Sequence, residues 1–403
     1  MPTEIVRLLG FEGPNLYGPQ PGVFLQLRAD VDHSRRIKAA LKDGGQRVGM
    51  VIAYLDVTAA PAEGGYLISA TFATPTPQIG VELARYVVAG LNAAETSDET
   101  WDEEGPLWAL QKRRRAEALP LPALQVCAEA SQRGVPTLLR RDGLVQLGYG
   151  ARSWCFDPAV LRTRDRSASD TLAVPWERVG PIPIVAVAGG AHRDSAARLI
   201  AAALAARQVA VRFAAAADFD ATQALLTDPA AAIVVAGLTA EGIAQRGLAF
   251  ERCAFSAVTD LPARLPPGIA DREELARVLG VPMLVTDPRG CVVLNADVPE
   301  IAALAAYAPC PVICISALEP ATTIDAHRAR GGAALFVRDG LLVAASGAHE
   351  QAIARAAFPP AGPLGALAAL ALLWTMGLEW EQLLPALRAG GDMGSSNNGA
   401  TSV

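Results

Sequence analysis

The sequence predicts an α/β protein: a small α+β domain, then a larger domain on a doubly wound, mainly parallel sheet. Three observations carry that prediction. The chain has 403 residues, 51% of them hydrophobic, enough for two or three domains that bury their cores without disulfides or metals. Between Val23 and Ala93, strand and helix signals mix with a hairpin. Beyond Pro181, strands and helices alternate, the pattern of a sheet with helices on both faces.

In the first part, Val23 to Leu27 reads as a strand and a helix starts at Ser34. Strands follow at Met50 to Val57 and Tyr66 to Phe72, joined through Pro61-Ala62-Glu63-Gly64-Gly65 as a hairpin, and a helix starts at Thr76. Ala94 to Gly105 is polar and acidic, a loop or linker. A helix from Leu121 to Arg133 precedes the turn at Arg141-Asp142-Gly143. In the second part, strands are expected at 184–188, 209–213, 232–236, 255–259, 281–285, 291–294 and 312–316. Helices are expected at Asp194 to Ala206, at Asp271 to Leu279 with Asp271 as cap and Glu274 three residues on, and at Val298 to Tyr307. Asp339-Gly340 between apolar runs predicts a tight hairpin turn, and helices at 364–376 and 379–388 end the fold. The domains are therefore placed at 1–142, 181–388 and, between them, a linker at 143–180; the Gly-, Ser- and Asn-rich tail 389–403 is expected to be disordered.

Composition narrows the function. The formal net charge is −6, without the clustered Lys and Arg a nucleic-acid surface needs; the run Lys112 to Arg115 is a surface helix screened by the acidic stretch 98–104. The only lysines are Lys38, Lys42 and Lys112, so any site beyond 112 works without an ammonium group. The six cysteines (Cys127, Cys155, Cys253, Cys291, Cys310, Cys314) read as reduced core residues of a cytoplasmic protein. No histidine pair suggests zinc. The N-terminus, with Glu4 and Arg7, is no secretory signal, and the apolar stretch 364–378 is shorter than the roughly 20 residues that span a bilayer. No membrane association is expected.

One segment has the outline of a chemical site. Ile184 to Ala188, Gly189-Gly190 and the helix after His192 form strand, glycine turn and helix, the shell of a phosphate-binding loop. In a working loop, backbone N–H groups cradle phosphates, a lysine reaches the terminal ones and a hydroxyl holds Mg²⁺. Here Arg193 stands at the lysine position and Asp194 at the hydroxyl position, followed by Ser195. Asp194 puts a carboxylate where triphosphate would sit; the favoured reading is that it caps the helix. The alternative is a weak anion site at the helix start.

The region 181–388 resembles the central domain of Mur ligases, and most closely the Mur-like module of the cyanophycin synthetases. The resemblance continues through Gly242-Ile243-Ala244-Gln245-Arg246-Gly247, Ala257-Val258-Thr259-Asp260, Asn295-Ala296-Asp297 and Ala326-His327-Arg328. Upstream, Gly13-Pro14-Asn15 and Leu144-Val145-Gln146-Leu147-Gly148-Tyr149-Gly150 are similar to that family's N-terminal domain and ATP-grasp entrance. The resemblance implies an ATP- and Mg²⁺-dependent amide ligase, and the departures from it imply loss of both. The family's Mg²⁺-binding glutamate falls on Gly237. Its Asp-His pair after the Val-Thr-Asn motif falls on Arg264 and Leu265. Mg²⁺ needs oxygen ligands. About 30 residues stand between Gly150 and Pro181 where an ATP-grasp module would be, and the C-terminal lobe of a Mur ligase is also expected to be missing. Gly189, Gly190, His192, Arg193, Ser195, Asn295 and Asp297 are thus expected as a vestigial nucleotide site, with Asn295 and Asp297 making a turn and Val298 in place of a further acid.

These readings predict no bound cofactor and a non-catalytic subunit that scaffolds or regulates a full-length cyanophycin-synthetase-like ligase, as a homo- or hetero-oligomer. Two alternatives stand beside it: a stand-alone anion-, nucleotide- or peptide-binding sensor using the degenerate loop, and a residual ligase or hydrolase. Residual chemistry would fall to His327 with Arg328 or Asp325. No HxxEH-like motif is formed by His33, His192, His327 or His349.

Overall fold

A computed structural model describes residues 3–161, 172–319, 322–355 and 363–383. The chain divides into two units, Met1–Leu124 with Ala244–Ala249, and Gln125–Ile243 with Phe250–Val403. The first division falls at 124/125, earlier than the sequence boundary at 142. The expected disordered tail 389–403 and the end of the helix 379–388 lie outside the described residues.

The first unit begins with β1 (Glu4–Phe11), β2 (Gly22–Ala29), α1 (Ser34–Val48), β3 (Tyr54–Ala62), β4 (Gly65–Ala73), α2 (Pro77–Thr96) and α3 (Glu104–Glu117). Its four strands form an antiparallel sheet in the order β1-β2-β4-β3. Alternation builds the core: Val23, Leu25 and Leu27 of β2 and Ile68, Ala70 and Phe72 of β4 share one face, buried with Ile37 and Leu41 of α1 and Ile79, Leu83 and Val87 of α2. β1 was not expected, because Glu4 and Arg7 interrupt its apolar pattern; as an edge strand it tolerates them. β3 starts at Tyr54, later than the expected Met50. The segment 244–249 belongs to this unit, with the Arg246 guanidinium bonded to both oxygens of Glu12 at 2.9 Å.

α4 (Leu121–Gln132) leads into the second unit, where β5 (Thr137–Leu139), β6 (Val145–Leu147) and β7 (Trp154–Phe156) make a small antiparallel sheet. There follow β8 (Ile184–Ala188), α5 (Ala191–Ala206), β9 (Val211–Ala217), α6 (Phe219–Thr227), β10 (Ile233–Leu238), α7 (Ala240–Arg246), β11 (Cys253–Val258), α8 (Arg272–Leu279), α9 (Val281–Leu284), β12 (Thr286–Asn295), α10 (Pro299–Ala302), β13 (Val312–Ser316), α11 (Thr322–Ala329), β14 (Ala333–Arg338), β15 (Leu341–Ser346), β16 (His349–Arg355) and α12 (Pro363–Thr375). Nine of these strands form one sheet in the order β16-β15-β14-β13-β12-β11-β8-β10-β9. It is parallel from β9 to β14 and antiparallel in its last two strands. The doubly wound expectation therefore holds.

The strand expected at 281–285 is instead the helical turn α9. A short apolar run does not distinguish strand from helix, and Pro282 in the first turn of α9 suits a helix start. Asp271 caps α8 as expected, accepting from the Glu274 N–H at 2.7 Å. The Asp339-Gly340 turn has positive φ at both residues, the geometry of a type I′ hairpin. α12 is buried around most of its circumference beside α5. Among the described residues no helix is long and apolar enough to cross a membrane.

Burial also fixes the state of the cysteines, all free. Desolvation pushes the Cys253 and Cys291 thiols up to about 12 and Cys314 up to about 11. Only a thiolate is alkylated, so iodoacetamide near neutral pH is expected to leave these three unlabelled in the native protein and to label them after unfolding. Peptide mass spectrometry checks this.

Candidate functional site

In a doubly wound sheet, ligands bind beyond the carboxyl ends of the strands where the strand order reverses. Here that point lies between β8 and β11. β8 is buried throughout and delivers the chain into Gly189 at φ +152°; a Cβ there would lie 2.1 Å from the Thr259 hydroxyl. Gly190 then opens α5. The first amides of a helix have no partners within it and attract anions.

The anion they meet is a side chain of the protein itself. Asp260, just past the end of β11, accepts from the N–H groups of Gly190 at 3.0 Å, Ala191 at 3.0 Å and His192 at 3.2 Å. The Thr259 hydroxyl donates to the same carboxylate at 2.8 Å, and the Thr259 N–H holds the Ala188 carbonyl at 3.0 Å. The parallel pairing of β8 with β11 sets this register, placing Val258 beside Ala188. A carboxylate thus lies in the nest where a phosphate-binding loop would receive a phosphate.

The cap is therefore Asp260 and not Asp194, which corrects the sequence reading. Asp194 instead pairs with Arg193 at 2.7 Å. Arg193, its side chain only 12% exposed, donates to the Gly189 carbonyl at 3.1 Å and the Ala215 carbonyl at 3.1 Å. His192 contributes its backbone N–H. Ser195 donates to the His192 carbonyl at 2.9 Å and packs on Gly365 of α12, where an added Cβ would come within 2.0 Å of its hydroxyl.

The other expected residues stand at neighbouring strand ends. Asn295, fully buried, donates to the Thr259 carbonyl at 2.7 Å and accepts from the Asp297 N–H at 2.9 Å. Asp297 accepts from the Ser316 hydroxyl and, at 2.8 Å, from the Ala317 N–H. Both tie β12 to its neighbours β11 and β13. Gly237, where the resemblance to the Mur-like module puts a glutamate, lies where the β10–β9 register shifts; a Cβ there would stand 2.2 Å from the Ala215 carbonyl oxygen. That carbonyl fills the space a side chain would need and receives Arg193. Arg264 and Leu265 are both exposed. Among the described residues, no group of three or more His, Cys, Asp or Glu side chains is placed to hold a metal ion.

His327 lies elsewhere. Its Nε2 is 3.2 Å from the Val312 carbonyl at the amino end of β13, away from the loop. Arg328 pairs with Glu350, and its nearest approach to Asp325 is 3.8 Å.

Sequence reasoning missed Asp260 and the Ala215 carbonyl. Asp260 had a signal: it stands where the Val-Thr-Asn motif has asparagine. The carbonyl, a backbone group brought in by a bulge, had none.

Residues 2–315 match the family model described as "Domain of unknown function (DUF4938)". Over 174 residues the chain is 30% identical to cyanophycin synthetase of Synechocystis sp., a match covering 41% of this chain and 20% of that protein. The chain thus spans about a fifth of that relative's length. Among solved structures it is similar to UDP-N-acetylmuramoyl-L-alanyl-D-glutamate–2,6-diaminopimelate ligase (TM-score 0.41, 16% identity, covering 56% of this chain and 48% of that one). It is also similar to the UDP-N-acetylmuramate:L-alanyl-gamma-D-glutamyl-meso-diaminopimelate ligase from Neisseria meningitides (TM-score 0.37, 14% identity, covering 63% and 84%).

Proposed function

Given that the chain belongs to the DUF4938 family, we propose that it is a non-catalytic relative of ATP-dependent amide ligases, which scaffolds or regulates a cyanophycin-synthetase-like ligase by hetero-oligomerisation. The observation that carries this reading is the Asp260 carboxylate on the amides of Gly190, Ala191 and His192. A triphosphate entering that nest would have to displace a fixed negative charge. It would also find no lysine, since none follows Lys112, and an arginine already engaged by two carbonyls and Asp194. Mg²⁺, which takes oxygen ligands, would meet Gly237 in place of a carboxylate. These residues do not fit ATP and Mg²⁺, so no catalytic step is assigned to them.

The choice of partner follows from the 30% identity to cyanophycin synthetase over 174 residues: a chain that keeps a ligase's framework while its loop is filled is suited to pack against such a ligase. The anion-sensor reading needs the amides that Asp260 holds, and is set aside on that ground.

Co-expression with a full-length cyanophycin-synthetase-like ligase from the same source, followed by mass determination and an ATP-dependent activity assay, tests the proposal. A defined hetero-oligomer is expected, with an interface of about 1,200–2,000 Å² and ligase activity that changes with this chain. Separate elution of the two proteins and unchanged activity would overturn it.

A further inference from the structure

The second unit carries a groove at the end of its sheet opposite the filled loop. Two clefts, of about 950 Å³ and 630 Å³, share Phe255, Arg289 and Gly290 and so lie side by side. Their walls include the amino ends of β8, β11, β12, β13 and β14, from Pro183 through Cys253, Cys291 and Val312 to Ala333. These are five adjacent strands of the sheet. Four spacings of about 4.8 Å give a length of about 19 Å, which an extended chain of about six residues fills.

The lining is apolar at the base and basic along its length. Phe255 and Trp374 pack against the core of the unit and contribute to the base. Arg152, Arg252 and Arg330 are exposed on the lining, and among the described residues none of them forms an ion pair within 4 Å, although, beside the Arg289 hydrogen bond, the charge of Arg252 helps hold the Asp287 carboxyl below the usual range. Arg289 is paired with Asp287 at 3.2 Å, and Glu251 is the other acid on the lining. Four arginines therefore face two carboxylates, on a protein whose net charge is −6. Arg152 and Arg330 line different clefts, so a single small anion does not satisfy both. The planar fork of arginine suits carboxylates held along a chain, and the apolar base suits alternate side chains of an extended segment.

We propose that this groove binds an extended acidic peptide segment of a partner protein, with alternating carboxylate and apolar side chains over about six residues. The inference is independent of the filled loop and of any ligase partner. It is tested by fluorescence anisotropy on the full chain with three labelled probes: a peptide of alternating glutamate and leucine, the same peptide with glutamine for glutamate, and an oligothymidylate of equal length. The acidic peptide is expected to bind with an affinity that falls as salt is raised, because the contacts are exposed charge pairs. The double variant Arg252→Glu/Arg330→Glu is expected to weaken it at least about tenfold. Arg277→Glu, which makes half that charge change on an exposed site of α8, is expected to leave it unchanged, and thermal melting confirms that the variants are folded. Equal binding of the glutamine peptide, tighter binding of the oligonucleotide, equal loss in Arg277→Glu, or no binding of the acidic peptide would overturn the proposal.

Discussion

Replacing Asp260 with alanine is expected to destabilise the second unit by about 2–3 kcal/mol, since hydrogen bonds to a charged group and a helix cap are lost together. Three amides and the Thr259 hydroxyl lose one acceptor at once, and the helix start loses the negative charge that suits its dipole. Urea unfolding measures the loss. A second effect separates this role from ordinary packing: the emptied nest should accept an external anion. Sulfate at about ten times its Kd would then stabilise the variant by about 1.4 kcal/mol and leave the wild type unmoved. Asp260→Asn, which keeps an acceptor without the charge, should fall between the two. A variant as stable as the wild type, or one indifferent to sulfate, would show that the carboxylate is not the ligand of the loop.

Gly237→Ala is expected to cost about 3 kcal/mol, at the upper end of overpacking effects. The added Cβ would stand 2.2 Å from the Ala215 carbonyl oxygen, and that obstacle is backbone, which cannot rotate away as a long side chain would. The same carbonyl receives Arg193, so the strain reaches the loop. Gly18→Ala, at a position with nothing within 4 Å of the new Cβ, serves as the control and is expected to stay within about 0.5 kcal/mol of the wild type. Urea midpoints compare them. The consequence reaches function: a glutamate cannot be placed at 237 unless β9 moves, so building a carboxylate ligand there takes more than one substitution.

The parts of the fold written in local pattern were legible in the sequence. Continuous apolar runs at 184–188 and 312–316 became the buried strands β8 and β13, and Asp339-Gly340 gave its hairpin. The edge strands β1 and β16 were not, because Glu4, Arg7, His349 and Glu350 break the alternation, and an edge strand can present charge to water. α5 was placed three residues late, since Asp194 looked like its cap when the true cap lies 66 residues further along the chain. That distance explains the main error at the site. Strand–glycine–helix is local and was found; the partner that fills it depends on β8 lying beside β11, a pairing set by the whole sheet. Asn295 and Asp297 were expected beside the loop as a turn; their bonds hold the ends of β11, β12 and β13 together.

The account rests on the amide nest at the start of α5 being occupied by the protein's own carboxylate, and calorimetric titration of the wild-type chain with ATP and Mg²⁺ tests that most directly. The prediction is no saturable heat at nucleotide concentrations up to about 1 mM, where a site of that Kd would contribute about −4.1 kcal/mol of binding free energy. Saturable binding at micromolar ATP, weakened when Arg193 is replaced by alanine, would contradict it.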